Sequence, residues 1–182
     1  MFRVLTRSGG PSAAKALTTC AAGDDQGIAD AAVRALAGWS EKSGLSQAAD
    51  GLLKIAKTAK DAKPRAIALR AYVNLARSRH WGRNTAQQLK ICGEALKVAK
   101  AADQKRSVLG VLGGIYQAGA VTLAAKCLDD QAVAEEAAAA VVRIVNRLKN
   151  KNNRGVQTAL KRVVEVSKNK RTLSQAKRFL RK

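Results

Sequence analysis

Apolar residues recur at helical spacing along nearly the whole chain, and a pattern of two such stretches repeats roughly every 35 residues. Leu45, Ala48, Ala49, Leu52 and Ala56, for example, follow the i, i+3, i+4, i+7 spacing that lines one side of a helix. A repeat of this length is the size of a helix pair, which buries its apolar sides only by stacking on neighbouring pairs. The sequence therefore predicts an all-α chain, arranged as a solenoid of about four to five antiparallel helix pairs.

The composition favours close helix packing over a sheet. Hydrophobic residues make up 47% of the chain and aromatic residues only 3%, so the core must be built from Ala, Leu, Val and Ile. No sustained stretch alternates apolar and polar residues in the way that a half-buried strand does. We therefore expect a single helical repeat domain over residues 1–182.

The two ends of the chain differ from its middle. Residues 2–8 resemble the end of a helix, and Gly9-Gly10-Pro11 then breaks that helix and starts another. We expect residues 1–8 to be the remnant of a preceding repeat, covered in the native setting by a longer version of the chain or by a partner. Residues 148–182 are expected to form a highly basic terminal repeat.

Packing signatures recur along nearly the whole chain. They lie at 9–17, 30–39, 68–72, 105–110 and 128–138. These segments resemble HEAT repeats, specifically the degenerate HEAT arrays of bacterial proteins. The resemblance implies antiparallel helix pairs stacked into a curved rod, with the second helices lining the surface used for binding. It also implies that the chain is part of a larger protein, because related arrays often occur that way.

No combination of residues predicts an active site. His80 is the only histidine, and no GxGxxG, GxxxxGK[ST], GxSxG or HExxH motif occurs. Cys20, Cys92 and Cys127 lie far apart at helical intervals among apolar residues, so we expect buried free thiols. We predict no enzyme activity, no cofactor, no metal and no small-molecule substrate.

Several polar residues are expected to cap helices. Adjacent carboxylates at 24–25, 129–130 and 135–136 stand at predicted starts of second helices, where they accept backbone N–H bonds and complement the helix dipole. A division of acid and base roles between neighbouring carboxylates is the alternative. Thr85 and Thr172 each have a Gln three residues later, which is the spacing of a capping box.

Three glycines interrupt the apolar stripe that contains Val108 and Leu112, at positions 110, 113 and 114. Glycines within a helix either let a neighbouring helix approach closely or end the helix early. We favour close packing of helices at these positions.

The formal net charge of +21 favours association with polyanions or acidic surfaces. The excess is concentrated in two segments. Residues 41–100 hold 13 basic and 4 acidic groups, and residues 148–182 hold 12 and 1. A cationic face that only solubilises the protein is the alternative to a binding surface.

Arg34, Arg70, Arg106 and Arg143 recur at intervals of 36, 36 and 37 residues, which suggests a basic ladder along the second helices. Measured from the nearest apolar anchors, only Arg34 and Arg70 occupy equivalent positions. Packed stems with solvated head groups are the alternative to a functional ladder. The candidate binding surface comprises Arg34, Arg70, Arg77, Arg106, Arg143, Lys161, Arg162, Lys170, Arg171 and Arg178.

The sequence thus predicts a non-catalytic scaffold that mediates protein–protein interaction, with an acidic protein surface as the favoured partner. The alternative is sequence-independent nucleic-acid binding through Lys54, Lys57, Arg70, Arg77 and the basic tail. We expect no membrane span and no secretory signal in this sequence. The compartment stays open: it is cytoplasmic by default, and extracytoplasmic if the chain belongs to a longer protein.

Overall fold

The computed structural model describes residues 4, 6, 7, 9–39, 42–78, 80 and 84–181. Ten α-helices have their bounds within these residues, and none of them is in a strand, which confirms the all-α prediction. In chain order the helices are α1 (Pro11–Cys20), α2 (Gln26–Ala37), α3 (Leu45–Thr58), α4 (Ala62–Leu75), α5 (Thr85–Val98), α6 (Ala102–Leu112), α7 (Ala118–Ala125), α8 (Ala134–Arg147), α9 (Arg154–Val166) and α10 (Lys170–Leu180).

The chain divides into two compact units, Met1–Gly82 and Arg83–Lys182. In the N-terminal unit, α1 packs on α2 and α3 packs on α4, so consecutive helices form two pairs. The first helices of these pairs, α1 and α3, contact each other, and so do the second helices, α2 and α4. Leu17, Leu36 and Leu52 are fully buried between them, which places the predicted apolar stripes inside this unit.

The C-terminal unit repeats the same arrangement with three pairs, α5–α6, α7–α8 and α9–α10. The first helix of each pair contacts the first helix of the next, because α5 packs on α7 and α7 on α9. The second helices α6, α8 and α10 contact one another in the same order. Leu112, Leu128, Ile144 and Leu160 are fully buried in this unit. Each helix therefore buries two sides. One side packs on the other helix of its pair, and the other packs on the like helix of a neighbouring pair.

The start of the chain is described only in part. Val4, Thr6 and Arg7 are helical, and the Val4 side chain is exposed. Phe2 and Leu5, which the sequence analysis also assigns to the end of a helix, lie outside the described residues. Gly9 and Gly10 have φ of 67° and 92°, so the backbone turns in a region that favours glycine before Pro11 opens α1.

Asparagine side chains cap more helices than the sequence analysis predicted. Asp25 caps α2 as expected, because its side chain accepts a hydrogen bond from the Ile28 N–H at 2.9 Å. Thr85 and Thr172, however, lie inside their helices, and the caps are Asn84 and Asn169. The amide oxygen of Asn can reach the N–H groups of the first turn, so Asn84 and Asn169 fix the starts of α5 and α10.

The predicted close packing is wrong at Gly110 and Gly114, whereas Gly113 does lie against the Arg143 side chain of α8. Helix α6 ends at Leu112 with Gly113 as its C-cap, and a Cβ at the exposed Gly110 would meet no atom within 4 Å. A close helix approach occurs instead at Gly51 of α3. A Cβ at that position would overlap the Oγ1 of Thr18 on α1.

These two glycines predict opposite effects of adding a methyl group. Gly51→Ala should lower the free energy of unfolding by about 1–3 kcal/mol, because Thr18 is β-branched and its hydroxyl is held by the Ala14 carbonyl at 2.9 Å. Gly110→Ala should raise it by about 0.5–1 kcal/mol through helix propensity alone. Urea unfolding followed by circular dichroism measures both. The Thr18→Ala, Gly51→Ala double variant should recover much of the loss, and no recovery would contradict the proposed overlap.

Candidate binding surfaces

All ten candidate residues have exposed side chains, and they are distributed over several helices of the two units. In the N-terminal unit Arg34 lies on α2, Arg70 on α4 and Arg77 just after α4. In the C-terminal unit Arg106 lies on α6, Arg143 on α8, Lys161 and Arg162 on α9, and Lys170, Arg171 and Arg178 on α10.

Burial patterns show which arginines occupy equivalent positions on the second helices. Arg34 follows two buried residues, Ala32 and Val33, and precedes buried Leu36 by two positions. The same pattern surrounds Arg70 on α4 and Arg143 on α8. On α6 the equivalent position holds Gly110. Arg143 therefore matches Arg34 and Arg70, because the buried residue that corresponds to Leu36 is Val145 and not Val142.

Arg106 is not a free member of this ladder. Its Nε donates to Glu136 Oε1 at 2.6 Å, and its Nη2 donates to the Ala132 carbonyl at 2.9 Å. These bonds join α6 to the start of α8 and lower the pKa of Glu136. Arg106 is thus committed to contacts inside the C-terminal unit.

Arg143 reaches from α8 to the end of α6. A Cβ on Gly113 would come within 3.3 Å of its Nη1 atom, so the guanidinium lies beside the C-cap of α6. A positive charge there complements the negative end of the helix dipole. The aliphatic stem of Arg143 also lies beside Gly113, whereas the residue as a whole stays exposed.

Four carboxylates between α7 and the first turn of α8 join three helix pairs; we call Asp129, Asp130, Glu135 and Glu136 the acidic clamp. Asp130 and Glu136 reach back to α6, where Asp130 Oδ2 accepts from Lys105 Nζ at 2.6 Å. Asp129 and Glu135 reach forward to the α9–α10 pair. The clamp therefore holds both neighbours of the α7–α8 pair.

The forward contacts of the clamp are charge-assisted. Asp129 Oδ1 accepts from Arg162 Nη2 at 2.6 Å and from its Nε at 2.9 Å. Glu135 accepts from the Ser167 hydroxyl at 2.8 Å and from the backbone N–H of Lys168. Ser167 is a buried polar residue, so this bond also satisfies a hydroxyl inside the core.

The capping role predicted for Asp129 and Asp130 is wrong, because the N-cap of α8 is Val133. Asp130 Oδ1 accepts instead from the Ala132 N–H in the loop before the helix. Glu135 and Glu136 do lie in the first turn, as expected. Sequence reasoning missed these contacts between helix pairs. The signal was the spacing of 30 residues between Arg106 and Glu136, which is about the length of one repeat.

The C-terminal unit carries a large excess of positive charge. Residues 84–181 contain 7 Asp and Glu, of which 6 bond within this unit. Only 4 of the 19 Lys and Arg in the same range take part in those ion pairs. The remaining 15 cations have no carboxylate partner among these residues.

The exposed side of α10 forms a cationic groove with a volume of about 660 Å³. Its lining residues are Lys170, Leu173, Ser174, Lys177, Arg178 and Arg181. Lys177 and Arg181 are not among the ten candidate residues. Their spacing from Lys170 places all three on one side of a helix, and this was the signal that could have found them.

Two further cavities are lined by charges of both signs. One of about 430 Å³ lies among α5, α6 and α7, and its wall includes the Lys105–Asp130 pair and the Lys97–Glu94 pair. The other, of about 560 Å³, lies in the N-terminal unit beside Asp30 and Asp61. Asp61 accepts there from the Gln26 side chain at 3.2 Å.

The cysteines are free thiols, as predicted. Cys92 and Cys127 are buried, whereas Cys20 is half-buried. Burial raises the pKa of the Cys127 thiol, which keeps it protonated and unreactive. Within the described ranges, no three His, Cys, Asp or Glu side chains come together as ligands for a metal ion. Every helix in those ranges also falls short of the length and hydropathy of a membrane span.

The chain matches no protein-family model, no curated protein and no solved structure. Its resemblance to HEAT repeats therefore stays a prediction that rests on the packing residues.

The clamp predicts a specific loss of stability in acid. Hydrogen bonds from Arg106 and Lys105 lower the pKa of Glu136 and of Asp130 in the folded chain, so their stabilisation is complete above the ordinary carboxyl pKa of about 4 and is lost as the pH falls through the lowered values. The Asp130→Asn, Glu136→Gln double variant should have a lower urea midpoint than the wild type at pH 7. This difference should shrink as the pH falls below about 4 and through the lowered pKa values.

A suitable control is Asp50→Asn, because Asp50 is exposed on α3 and forms no ion pair with another described residue. Its urea midpoint should stay close to that of the wild type across the same pH range. A clamp variant whose deficit is as large at pH 3 as at pH 7 would contradict the role assigned to the two charges.

Proposed function

We propose that this chain is a non-catalytic helical-repeat scaffold of the HEAT type, and that it binds an acidic protein partner through arginines on its second helices. The supporting observation is the packing of like helix on like helix within each unit, first helices on first and second on second. Such packing is how α-solenoids stack their pairs, and it aligns equivalent surface residues on neighbouring helices. Partner binding by an extended surface is the usual function of that architecture.

Arg34 and Arg70 are the residues on which this proposal rests most directly. They occupy equivalent exposed positions on α2 and α4, which are in contact. A guanidinium group binds a carboxylate through two parallel hydrogen bonds, and arginine is enriched in protein interfaces. Two arginines on adjacent helices therefore suit a partner that presents several carboxylates.

The charges around Arg34 favour a protein over a uniform polyanion. Arg34 Nη2 lies 3.7 Å from Asp30 Oδ2, and its side chain is 62% exposed. The nearby cavity is lined by Asp24, Asp30 and Asp61 as well as by Lys54 and Lys60. A surface with both signs repels a phosphate backbone at some points, whereas a protein can match it charge by charge.

Charge reversal on the second helices tests this proposal. The Arg34→Glu, Arg70→Glu variant should bind a fluorescein-labelled peptide that carries clustered glutamates interspersed with lysines, a probe for the mixed charges of a protein surface, about tenfold more weakly than the wild type, because two exposed Arg–carboxylate pairs are lost. Fluorescence anisotropy in 50 mM salt measures the affinity. The matched control is Lys15→Glu, Lys42→Glu, which makes the same change in net charge at exposed residues outside α2 and α4.

Replacing the same two arginines by lysine separates geometry from charge. Lysine keeps the positive charge but lacks the planar fork, so the Arg34→Lys, Arg70→Lys variant should still bind several-fold more weakly. Equal affinities for the two charge-reversed variants would mean that general electrostatics explains the binding, and the proposal would then fail.

A further inference from the structure

We propose that the exposed side of α10 is a nucleic-acid-binding surface that holds the sugar–phosphate backbone without reading the base sequence. This surface belongs to the C-terminal unit and includes neither Arg34 nor Arg70, so the inference holds whether or not those arginines bind a protein. It is carried by three features of α10: the alignment of its cations, the lack of competing carboxylates and the rigidity of the helix.

Lys170, Ser174, Lys177 and Arg181 lie along one side of α10. They are separated by four, three and four residues, so successive members fall close to one line on the helix surface. The line is about 16 Å long at a rise of about 1.5 Å per residue. All four are exposed, and the groove that they line also includes Arg178. A row of this length can contact several consecutive phosphates, which lie about 3.4 Å apart along the axis of one duplex strand.

No described carboxylate competes for these cations. Glu165 is the one acidic residue in 148–182, and it is bound to Arg162 Nη1 at 2.7 Å. Among the clamp carboxylates, Glu135 reaches the loop before α10, where it accepts from the Ser167 hydroxyl and from the Lys168 backbone N–H. Lys170, Lys177 and Arg181 therefore have no ion-pair partner in the part of the chain that the structure describes, and their charge is available to phosphates.

The opposite side of α10 fixes the helix in place. Ala176 and Phe179 are buried, and α10 packs on both α8 and α9. Arg178 and Lys151 lie over the Phe179 ring, at 5.1 Å and 5.7 Å from its centroid. Asn169 caps the first turn by accepting from the Thr172 N–H at 3.1 Å. The cations are therefore presented on an ordered scaffold, which lowers the entropy lost on binding.

The chemistry of the exposed side favours nucleic acid over a lipid surface. Membrane-surface helices bury large apolar side chains in the acyl boundary, but Phe179 points into the protein and Leu173 is half-buried. The groove also offers no aromatic, Asn or Gln side chain for base edges. Lys, Arg and Ser are donors to phosphate oxygens, so the contacts would position the backbone and carry no sequence information.

Neutralising the row in the full-length chain tests the inference. The wild type should bind a fluorescein-labelled 20-base-pair duplex at 50 mM salt, and the Lys170→Gln, Lys177→Gln, Arg181→Gln variant should bind it at least tenfold more weakly. The plot of log affinity against log salt should become shallower, and the magnitude of its slope should decrease by up to about 2.7, at about 0.9 for each lost phosphate contact. The control Lys15→Gln, Lys42→Gln, Lys63→Gln removes the same charge from exposed residues elsewhere and should change the slope by much less.

Two further measurements make the outcome decisive. Two duplexes of unrelated sequence should bind within about twofold of each other, because no base edge is read. Acetylation of the wild-type chain with and without duplex should show protection of Lys170 and Lys177 but not of Lys15 and Lys63, which tests the site even if the triple variant unfolds.

The inference is overturned if the wild type does not bind duplex at 50 mM salt, or if the triple variant behaves as its control does. It is also overturned if the chain binds vesicles containing phosphatidylserine through these residues but not the duplex. Loss of duplex binding in the Arg34→Glu, Arg70→Glu variant, beyond that of its own control, would place the site on α2 and α4 instead.

Discussion

Every helix in this chain depends on its contact with a like helix of the neighbouring pair. A single pair of helices about 8 to 14 residues long cannot bury both apolar sides, so each pair is stable only when it lies against another. Most side chains at these contacts are small or aliphatic, and Tyr72 and Phe179 are buried aromatic exceptions. Small residues allow the helices to approach closely, and at Gly51 the approach leaves no room for a methyl group.

The acidic clamp links packing to electrostatics in the C-terminal unit. Its four carboxylates fasten the α7–α8 pair to the pairs on both sides, and each of them lies at a contact between pairs. Because Asp129 and Glu135 lie against Arg162 and the loop before α10, the excess positive charge on the outer side of α10 comes from the composition of the tail and from the lack of carboxylates on that helix. The position of each carboxylate cannot be read from net charge alone.

The helices and their buried sides were predictable from the sequence, because helical periodicity is local and Leu52, Leu112 and Leu160 mark it clearly. The binding surfaces were predictable only in part. Arg34 and Arg70 were recognised as equivalent, but Arg143 was misaligned because the buried anchor on α8 is Val145 rather than Val142. Arg106 and Arg162 were expected on the surface for binding, yet their partners Glu136 and Asp129 lie one repeat away and are joined to them only by tertiary packing.

Interlocking through the clamp also makes the C-terminal unit less modular than its regular layout suggests. Repeat arrays usually tolerate loss or duplication of a whole unit, since each contact surface resembles the next. Here the α7–α8 pair supplies the carboxylates that bind both neighbouring pairs, whereas the cations Lys105, Arg106 and Arg162 lie on those neighbours. Excising that pair would bring the cations of α6 towards Arg162 at the new junction, so we expect the C-terminal unit to tolerate the loss of its central pair poorly.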